Sequence, residues 1–207
     1  MKRRKYMKKL FTSESVTEGH PDKLCDYISD TILDEALKQD KYSRVAIETF
    51  ASANQITIAG QLTTNATLDI EKIVRDRIKE IGYDRADLDI DYRTCKIDIN
   101  ITKQSSDIAQ GVDIGGAGDQ GIMFGYASDE TEEYMPFAIS MAHKLAKRLT
   151  EVRKNGIIPY LRPDGKTQVT VEYEDGIVKR IDTILISNQH EESADMDILK
   201  KDIMEKV

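Results

Sequence analysis

The sequence has 207 residues, and its 30 Lys and Arg against 37 Asp and Glu give a formal net charge of −7. A chain of this length forms one large domain or two small ones and can bury a hydrophobic core. No apolar run reaches the roughly 18 residues of a membrane span, and the acidic balance disfavours a protein that coats nucleic acid. Cys25 and Cys95 suit a reducing compartment, and no signal peptide is evident. We therefore expect a cytoplasmic protein with neither a membrane nor a nucleic acid as partner.

Hydrophobic periodicity predicts two helices and four strands in the first half of the chain. A helix begins at Pro21, because Leu24, Ile28 and Ile32 recur on one face and proline is favourable in a first turn. A second helix runs from about residue 68 to Gly82, whose missing side chain suits a helix end. Runs rich in Val, Ile and Thr predict strands at residues 44–50, 55–63, 88–92 and 96–102.

The second half is predicted to contain two helices and a hairpin. The first helix spans about residues 136–153, and the last begins at Asp195 or Asp197. Strands at 168–173 and 177–187 flank an Asp-Gly pair, which is typical of a tight hairpin turn. Helices that alternate with strands in this way predict an α+β fold, with mixed or antiparallel sheets covered by helices.

The string Gly-His-Pro-Asp-Lys at residues 19–23 is the first candidate for a chemical site. A helix N-terminus attracts anions, so His20 can donate a hydrogen bond to a phosphate while Asp22 holds a divalent cation. The alternative is purely structural: Asp22 favours the helix dipole and His20 caps the turn.

A glycine-dense loop at residues 115–121 is the second candidate. Its G-x-G-x-x-G spacing is only a weak dinucleotide signal, because an apolar strand at 122–124, not a helix, is expected to follow. Asp119 suits contact with a ligand amine or hydroxyl, whereas the structural alternative is a bulged entry to a strand. A dehydrogenase role would depend on this spacing alone.

The third candidate is Arg-Pro-Asp-Gly-Lys at residues 162–166. Pro-Asp-Gly commonly forms a turn, which is the structural alternative. On a rigid turn Lys166 could present its ammonium group to a triphosphate, with Asp164 receiving ribose or metal-bound water. The polar stretch at 103–113 is predicted to be a surface loop or a lid.

Taken in order, GHPDK, GAGDQGIMFGYA and LRPDGKTQV resemble the motifs of S-adenosylmethionine synthetase, also called methionine adenosyltransferase. The resemblance implies three similar subdomains around a pseudo-threefold axis, each a sheet covered by helices, with members pairing as homodimers or tetramers. It divides this chain into a basic tail (1–8), an N-terminal region (9–108) and a central region (109–207).

The resemblance also implies an enzyme that forms S-adenosylmethionine from ATP and L-methionine and releases phosphate and pyrophosphate. The implied cofactors are Mg²⁺ and K⁺. The implied roles are catalysis for His20, Lys166 and Asp119; ATP binding for His20, Asp164, Gly165 and Lys166; methionine binding for Gln61, Gln104 and Asp119; and metal binding for Asp22 (Mg²⁺) and Glu48 (K⁺).

Two departures from the family pattern affect these expectations. Gln61 stands where the family has a glutamate that meets the methionine ammonium, which exchanges a charge-assisted hydrogen bond for a weaker one. Family chains also continue into a C-terminal segment whose lysines and arginine grip the triphosphate. We therefore consider three hypotheses: an enzyme that needs a separate C-terminal fragment, an inactive truncated synthetase, and a non-catalytic module that pairs with intact synthetase subunits.

Overall fold

The computed structural model describes residues 7–88, 90–103, 115–117 and 120–207, and these residues form an α+β protein. A strand that the sequence did not predict precedes the first helix. The elements are β1 (Lys8–Val16), α1 (Pro21–Gln39), β2 (Arg44–Ser52), β3 (Gln55–Thr63), α2 (Ile70–Ile81), β4 (Lys96–Thr102), α3 (Phe137–Lys154), β5 (Leu161–Glu174), β6 (Ile177–His190) and α4 (Met196–Lys206).

The chain forms two compact units. The first comprises Met1–His20 and Gly125–Val207, and the second comprises Pro21–Phe124. The first unit is thus built from two segments that are far apart in the sequence. Each unit contains one three-stranded sheet.

The sheet of the first unit has the order β1-β5-β6, and both strand pairs are antiparallel. Helix α3 covers one face, where Ala138 and Ala142 pack with Val169 and Val171 of β5. Residues alternate between the two faces of a strand, so this face is apolar while the other carries polar side chains. A second apolar cluster joins α3 to α4 through Leu149, Val152, Ile158, Leu161 and Leu199.

The sheet of the second unit has the order β2-β3-β4, with β2 antiparallel and β4 parallel to the central strand. Helices α1 and α2 contribute to one core over this sheet. Its fully buried side chains are Leu24, Ile28 and Ile32 of α1, Ile56 and Ile58 of β3, and Val74, Ile78 and Ile81 of α2. The opposite face of the sheet carries most of the polar residues, including Gln55 and Gln61 of β3 and Lys96 and Asp98 of β4.

Several helix limits agree with the sequence predictions for local physical reasons. Helix α1 begins at Pro21, as predicted. Gly82 ends α2 with φ of 109°, and its amide donates to the carbonyl oxygens of Ile78 and Lys79. Asp195 begins α4, because its carboxylate accepts from the amides of residues 197 and 198. Of the two residues proposed to open this helix, Asp195 is therefore the cap.

Two predicted strands are wrong. At residues 88 and 90–92 the chain forms no strand, because the carboxylate and carbonyl of Asp91 accept from Arg93, Thr94 and Cys95 and close a turn. At 122–124 no strand forms either. Ile122, Met123 and Phe124 are at least 80% exposed, so this apolar run packs into neither core.

The Pro-Asp-Gly sequence was predicted to form a turn, but it lies inside β5. The strand β1 was not predicted, because Lys8–Val16 shows no regular alternation of apolar and polar residues. The strand β1 arises from its pairing with residues 166–174 of β5, a segment that is distant in the sequence. Among the described helices, none is long and apolar enough to cross a membrane.

Candidate active site

The start of the first candidate motif and the third motif meet in the first unit. The amide of Thr17 donates to the carbonyl oxygen of Gly165 at 2.9 Å, and the Thr17 hydroxyl donates to that of Pro163 at 2.7 Å. The amide of His20 donates in turn to the carbonyl oxygen of Thr17 at 3.1 Å. These hydrogen bonds join two segments that are 146 residues apart in the sequence. They hold the turn that contains His20 beside the part of β5 that contains Asp164 and Lys166.

Gly19 allows this close approach. A Cβ atom at this position would lie 2.4 Å from the backbone carbonyl carbon and from the Cβ of Pro163. No side chain fits there without moving the backbone of β5, so glycine is required by close packing. The glycine before His20 therefore serves the contact between the two motifs.

Glu18, between Thr17 and Gly19, forms ion pairs with two cations at the end of α3. Its carboxylate lies 2.6 Å from the Arg153 guanidinium and 2.8 Å from the Lys154 ammonium. The Arg153 side chain is only 12% exposed, so water screens this pair incompletely. The two ion pairs hold the turn that carries His20 against the helix.

Lys166 is exposed on β5, opposite Val16 of β1 and Ser187 of β6. Its neighbour Thr167 is fully buried and donates a hydrogen bond to the carbonyl oxygen of Ala142 at 2.7 Å. Because Thr167 is fixed against α3, Lys166 extends from the opposite face of the sheet. A lysine ammonium on an ordered strand suits contact with phosphate oxygens.

Glu48 and Gln61 share one face of the sheet in the second unit. Thr49 faces α1, since its hydroxyl lies 2.8 Å from that of Ser29, so Glu48 lies on the face opposite α1. Glu48 pairs with Ala59 in the register and Ala46 pairs with Gln61, which makes Glu48 and Gln61 diagonal neighbours. The structure thus brings the predicted K⁺ ligand and the predicted methionine ligand onto one surface.

Asp22 lies in the first turn of α1 and is exposed. A single carboxylate of this kind fits Mg²⁺, which usually keeps several waters and takes its other ligands from substrate phosphates. Glu48 likewise offers carboxylate oxygens, which suit a hard cation. Among the described residues, no group of three or more His, Cys, Asp and Glu side chains is arranged to hold a metal ion, so neither position is a cage made of protein ligands alone.

Gln104 and Asp119, predicted to bind methionine, lie outside the described residues, as do most of the polar stretch and part of the glycine loop. Cys25 and Cys95 are free thiols. Burial raises the pKa of both thiols, which favours their protonated forms and disfavours a nucleophilic role.

Sequence reasoning assigned no role to Thr17 or Asn188. Thr17 lies two residues before the first motif, and a threonine carries no signal that its hydroxyl will reach Pro163. Asn188 lies on β6, where its side-chain amide donates to the carbonyl oxygen of Arg162 at 3.1 Å. Only the strand register brings it there, so no sequence pattern could have identified it.

The chain matches two consecutive domains of one family over nearly its whole length. Residues 8–106 match the S-adenosylmethionine synthetase N-terminal domain, and residues 114–207 match the central domain of the same enzyme. The chain therefore belongs to the S-adenosylmethionine synthetase family, as its motifs predicted.

Curated relatives support this membership. The chain is 56% identical to the S-adenosylmethionine synthase of Clostridium tetani, in a match that covers 97% of this chain and 55% of that protein. It is 57% identical to the synthase of Desulfosudis oleivorans, over 96% of this chain and 53% of that protein. The synthase of Mycobacterium leprae is 54% identical, over 96% of this chain and 54% of that protein. The chain thus spans about half the length of the curated relatives it matches.

Proposed function

We propose that this chain takes part in methionine adenosyl transfer and supplies the residues that bind ATP, methionine and both cations. The observation that supports this most is the hydrogen bonding of Thr17 to Pro163 and Gly165, which joins the motif of His20 to that of Lys166. ATP, L-methionine, Mg²⁺ and K⁺ are the ligands proposed. The two matched domains support domain boundaries near residues 8 and 108, and two free thiols support a cytoplasmic location.

The proposed reaction consists of one nucleophilic displacement followed by one hydrolysis. The methionine sulfur forms a bond to C5′ of ATP, the bond from C5′ to the triphosphate oxygen breaks, and the triphosphate takes the electron pair. Water then cleaves the triphosphate to pyrophosphate and phosphate. The charge that develops on the leaving oxygen must be stabilised, which is usually the largest contribution to such catalysis.

The chain's own residues are assigned as follows. His20 donates a hydrogen bond to the leaving oxygen, and Lys166 binds the triphosphate through its exposed ammonium group. Asp164 and Gly165 contact ATP, while Gln61, Gln104 and Asp119 bind methionine. Asp22 would hold Mg²⁺ and Glu48 would hold K⁺, and these cations would neutralise phosphate charge and order the site.

The test uses ATP, methionine, Mg²⁺ and K⁺ in two arms. One arm contains the chain alone, and the other adds, as a second polypeptide, the part of the Clostridium tetani synthase beyond the matched region. We expect S-adenosylmethionine to form in the second arm, because electrostatic stabilisation of a triphosphate needs several cations. Circular dichroism in the same samples checks folding. Absence of turnover in both arms, together with binding of the folded chain to intact Clostridium tetani synthase in a separate pull-down, would instead support the non-catalytic module.

Lys166 provides a matched variant pair for this assay. We expect Lys166→Met to lower kcat at least about a hundredfold, since one charge-assisted contact is worth about 1.5–3 kcal/mol and more in the transition state. Lys179→Met removes an exposed lysine of β6 and should leave turnover unchanged. Equal activity of the two variants would contradict the role of Lys166.

A further inference from the structure

Strand β5 contains a bulge at the Arg-Pro-Asp sequence. Leu161 pairs with His190 and Gly165 pairs with Asn188, so four steps along β5 correspond to only two steps along β6. Two additional residues are therefore accommodated in β5 between these pairs. Bulges of this kind bend a strand and redirect its side chains, and they are frequent beside active sites. Asp164 lies within this bulge and Lys166 follows it.

Thr17 holds the bulge from the side of β1. The residue is 3% exposed, and its hydroxyl donates to the carbonyl oxygen of Pro163 at 2.7 Å. The carbonyl oxygen of Gly165 lies 3.3 Å from the same hydroxyl. The Thr17 amide donates to the Gly165 carbonyl as well. Carbonyl groups that a bulge removes from the sheet's regular pairing need other donors when they are buried, and Thr17 supplies two.

Asn188 holds the bulge from the side of β6. Its amide nitrogen donates to the carbonyl oxygen of Arg162 at 3.1 Å. Gly165 passes between the two holding side chains: a Cβ there would lie 2.2 Å from Oδ1 of Asn188 and 3.1 Å from Cγ2 of Thr17. On the β1 side, hydrogen bonds from Thr17 fix the backbone around Asp164. On the β6 side, the hydrogen bond from Asn188 and its close packing against Gly165 fix it.

We propose that Thr17 and Asn188 are positioning residues that fix this bulge and, through it, the placement of Asp164 and Lys166. The positioning of a flexible lysine depends on the order of the backbone that carries it. The part of this proposal that concerns ATP binding by Lys166 rests on the proposed function. The part that concerns the order of the bulge is independent of it. The experiment therefore measures the two separately.

Hydrogen exchange of the amides in residues 161–168 measures the order of the bulge without any ligand. Thr17→Val removes the hydroxyl and keeps the shape, and we expect it to speed exchange in this segment about tenfold. Thr17→Ser keeps the hydroxyl and should stay within about twofold of the unmodified chain. Thr183→Val, on an exposed part of β6, controls for general effects of a threonine replacement. Equal exchange in Thr17→Val and Thr17→Ser would overturn the role of Thr17.

Gly165 and Asn188 provide a second, independent pair. Gly165→Ala places a methyl group against the Asn188 amide, which must turn away and lose its bond to Arg162, so exchange should again rise about tenfold. Asn188→Ser shortens the opposing side chain and leaves room for that methyl. Asn188→Ser alone loses the same bond to Arg162, so the double variant should exchange no faster than either single variant. Additive effects of the two changes would overturn the role of Asn188.

Acetylation of Lys166 by acetic anhydride, followed by mass spectrometry, measures positioning toward ligand. The assay uses the form of the protein that gives turnover, and Mg·ATP should protect Lys166 but not Lys179. In Thr17→Val we expect half-maximal protection to require about ten times more Mg·ATP. If Thr17→Val speeds amide exchange but leaves the protection of Lys166 by Mg·ATP unchanged, Thr17 does not position Lys166. The proposed function would not be affected by that result. No protection in the unmodified protein would overturn the assignment of Lys166 to ATP, and the exchange results would still decide whether Thr17 and Asn188 order the bulge.

Discussion

The Glu18 carboxylate lies 2.6 Å from the Arg153 guanidinium and joins the turn before His20 to the end of α3. Glu18 also lies 2.8 Å from the Lys154 ammonium, so a single carboxylate lies between two neighbouring cations. Arg153 is largely removed from water, so solvent would only partly replace the charge of Glu18 if that carboxylate were removed.

We therefore predict that Glu18→Gln lowers the free energy of unfolding by about 1–2 kcal/mol. Urea unfolding followed by circular dichroism measures this change. Asp76→Asn is the matched control, because it removes an ion pair to Lys72 whose two side chains are more than half exposed, and it should cost less than about 0.5 kcal/mol. Equal costs for the two variants would contradict the importance of burial at Arg153.

A second prediction concerns Gly60, which precedes Gln61 on β3. Its φ is +135°, and a Cβ at this position would lie 2.1 Å from the carbonyl oxygen of Ala46. Both the conformation and the space require glycine. Gly60→Ala should lower the free energy of unfolding by about 2 kcal/mol or more.

Gly125→Ala is the control for this change, since a Cβ at Gly125 would have nothing within 4 Å. It should change stability by less than about 0.5 kcal/mol. Urea unfolding again provides the measurement. A Gly60→Ala chain as stable as Gly125→Ala would show that β2 and β3 can separate to admit a side chain.

A third prediction concerns acid stability at the start of α3. A hydrogen bond from the Lys144 ammonium lowers the pKa of Glu133 from 4.5 to about 2. A folded-state pKa below the unfolded value means that the stabilisation is complete above about pH 4.5 and is lost as the pH falls toward 2. In Glu133→Gln this contribution is absent at every pH.

The measurement is the midpoint temperature of thermal unfolding at pH values between about 5 and about 2.5. Over this range the midpoint of the unmodified chain should fall further than that of Glu133→Gln. Glu205→Gln is the matched control, because the Glu205 carboxylate lies 3.9 Å from Lys201 and both side chains are more than half exposed. That control should follow the unmodified chain. Parallel curves for Glu133→Gln and the unmodified chain would contradict the role of Lys144.

A fourth prediction concerns the glutamine that replaces a family glutamate. If Gln61 binds the methionine ammonium, Gln61→Glu should lower the KM for methionine about five- to tenfold, because a charged acceptor forms a stronger hydrogen bond than a neutral one. The KM for ATP should not change. Steady-state kinetics of the active form provides both values.

Thr57→Glu adds the same charge to the same face of β3 at a position four residues away, and it should leave the methionine KM unchanged. This control separates a direct contact from a general electrostatic effect of one more carboxylate. A similar fall in the methionine KM for both variants would contradict contact by Gln61.

The helices were predictable because their signals are local. Asp195 and Gly82 act on amides and carbonyls within one turn, so their neighbours in sequence suffice to define a helix end. The strand predicted at 88–92 failed for a related reason. Asp91 closes a turn with residues beyond the predicted strand, and its side chain outweighs the strand propensity of the isoleucine and tyrosine beside it.

The family and the residues that could carry chemistry were predictable from the motifs, because motifs preserve the order and type of side chains. That Pro163–Gly165 forms a bulge inside β5 and not an isolated turn follows from contacts between strands. That outcome depends on Thr17 and Asn188, which reach the bulge from two different strands. Hydrogen bonds between residues far apart in the chain exist only once strand register is set, and no local pattern encodes them.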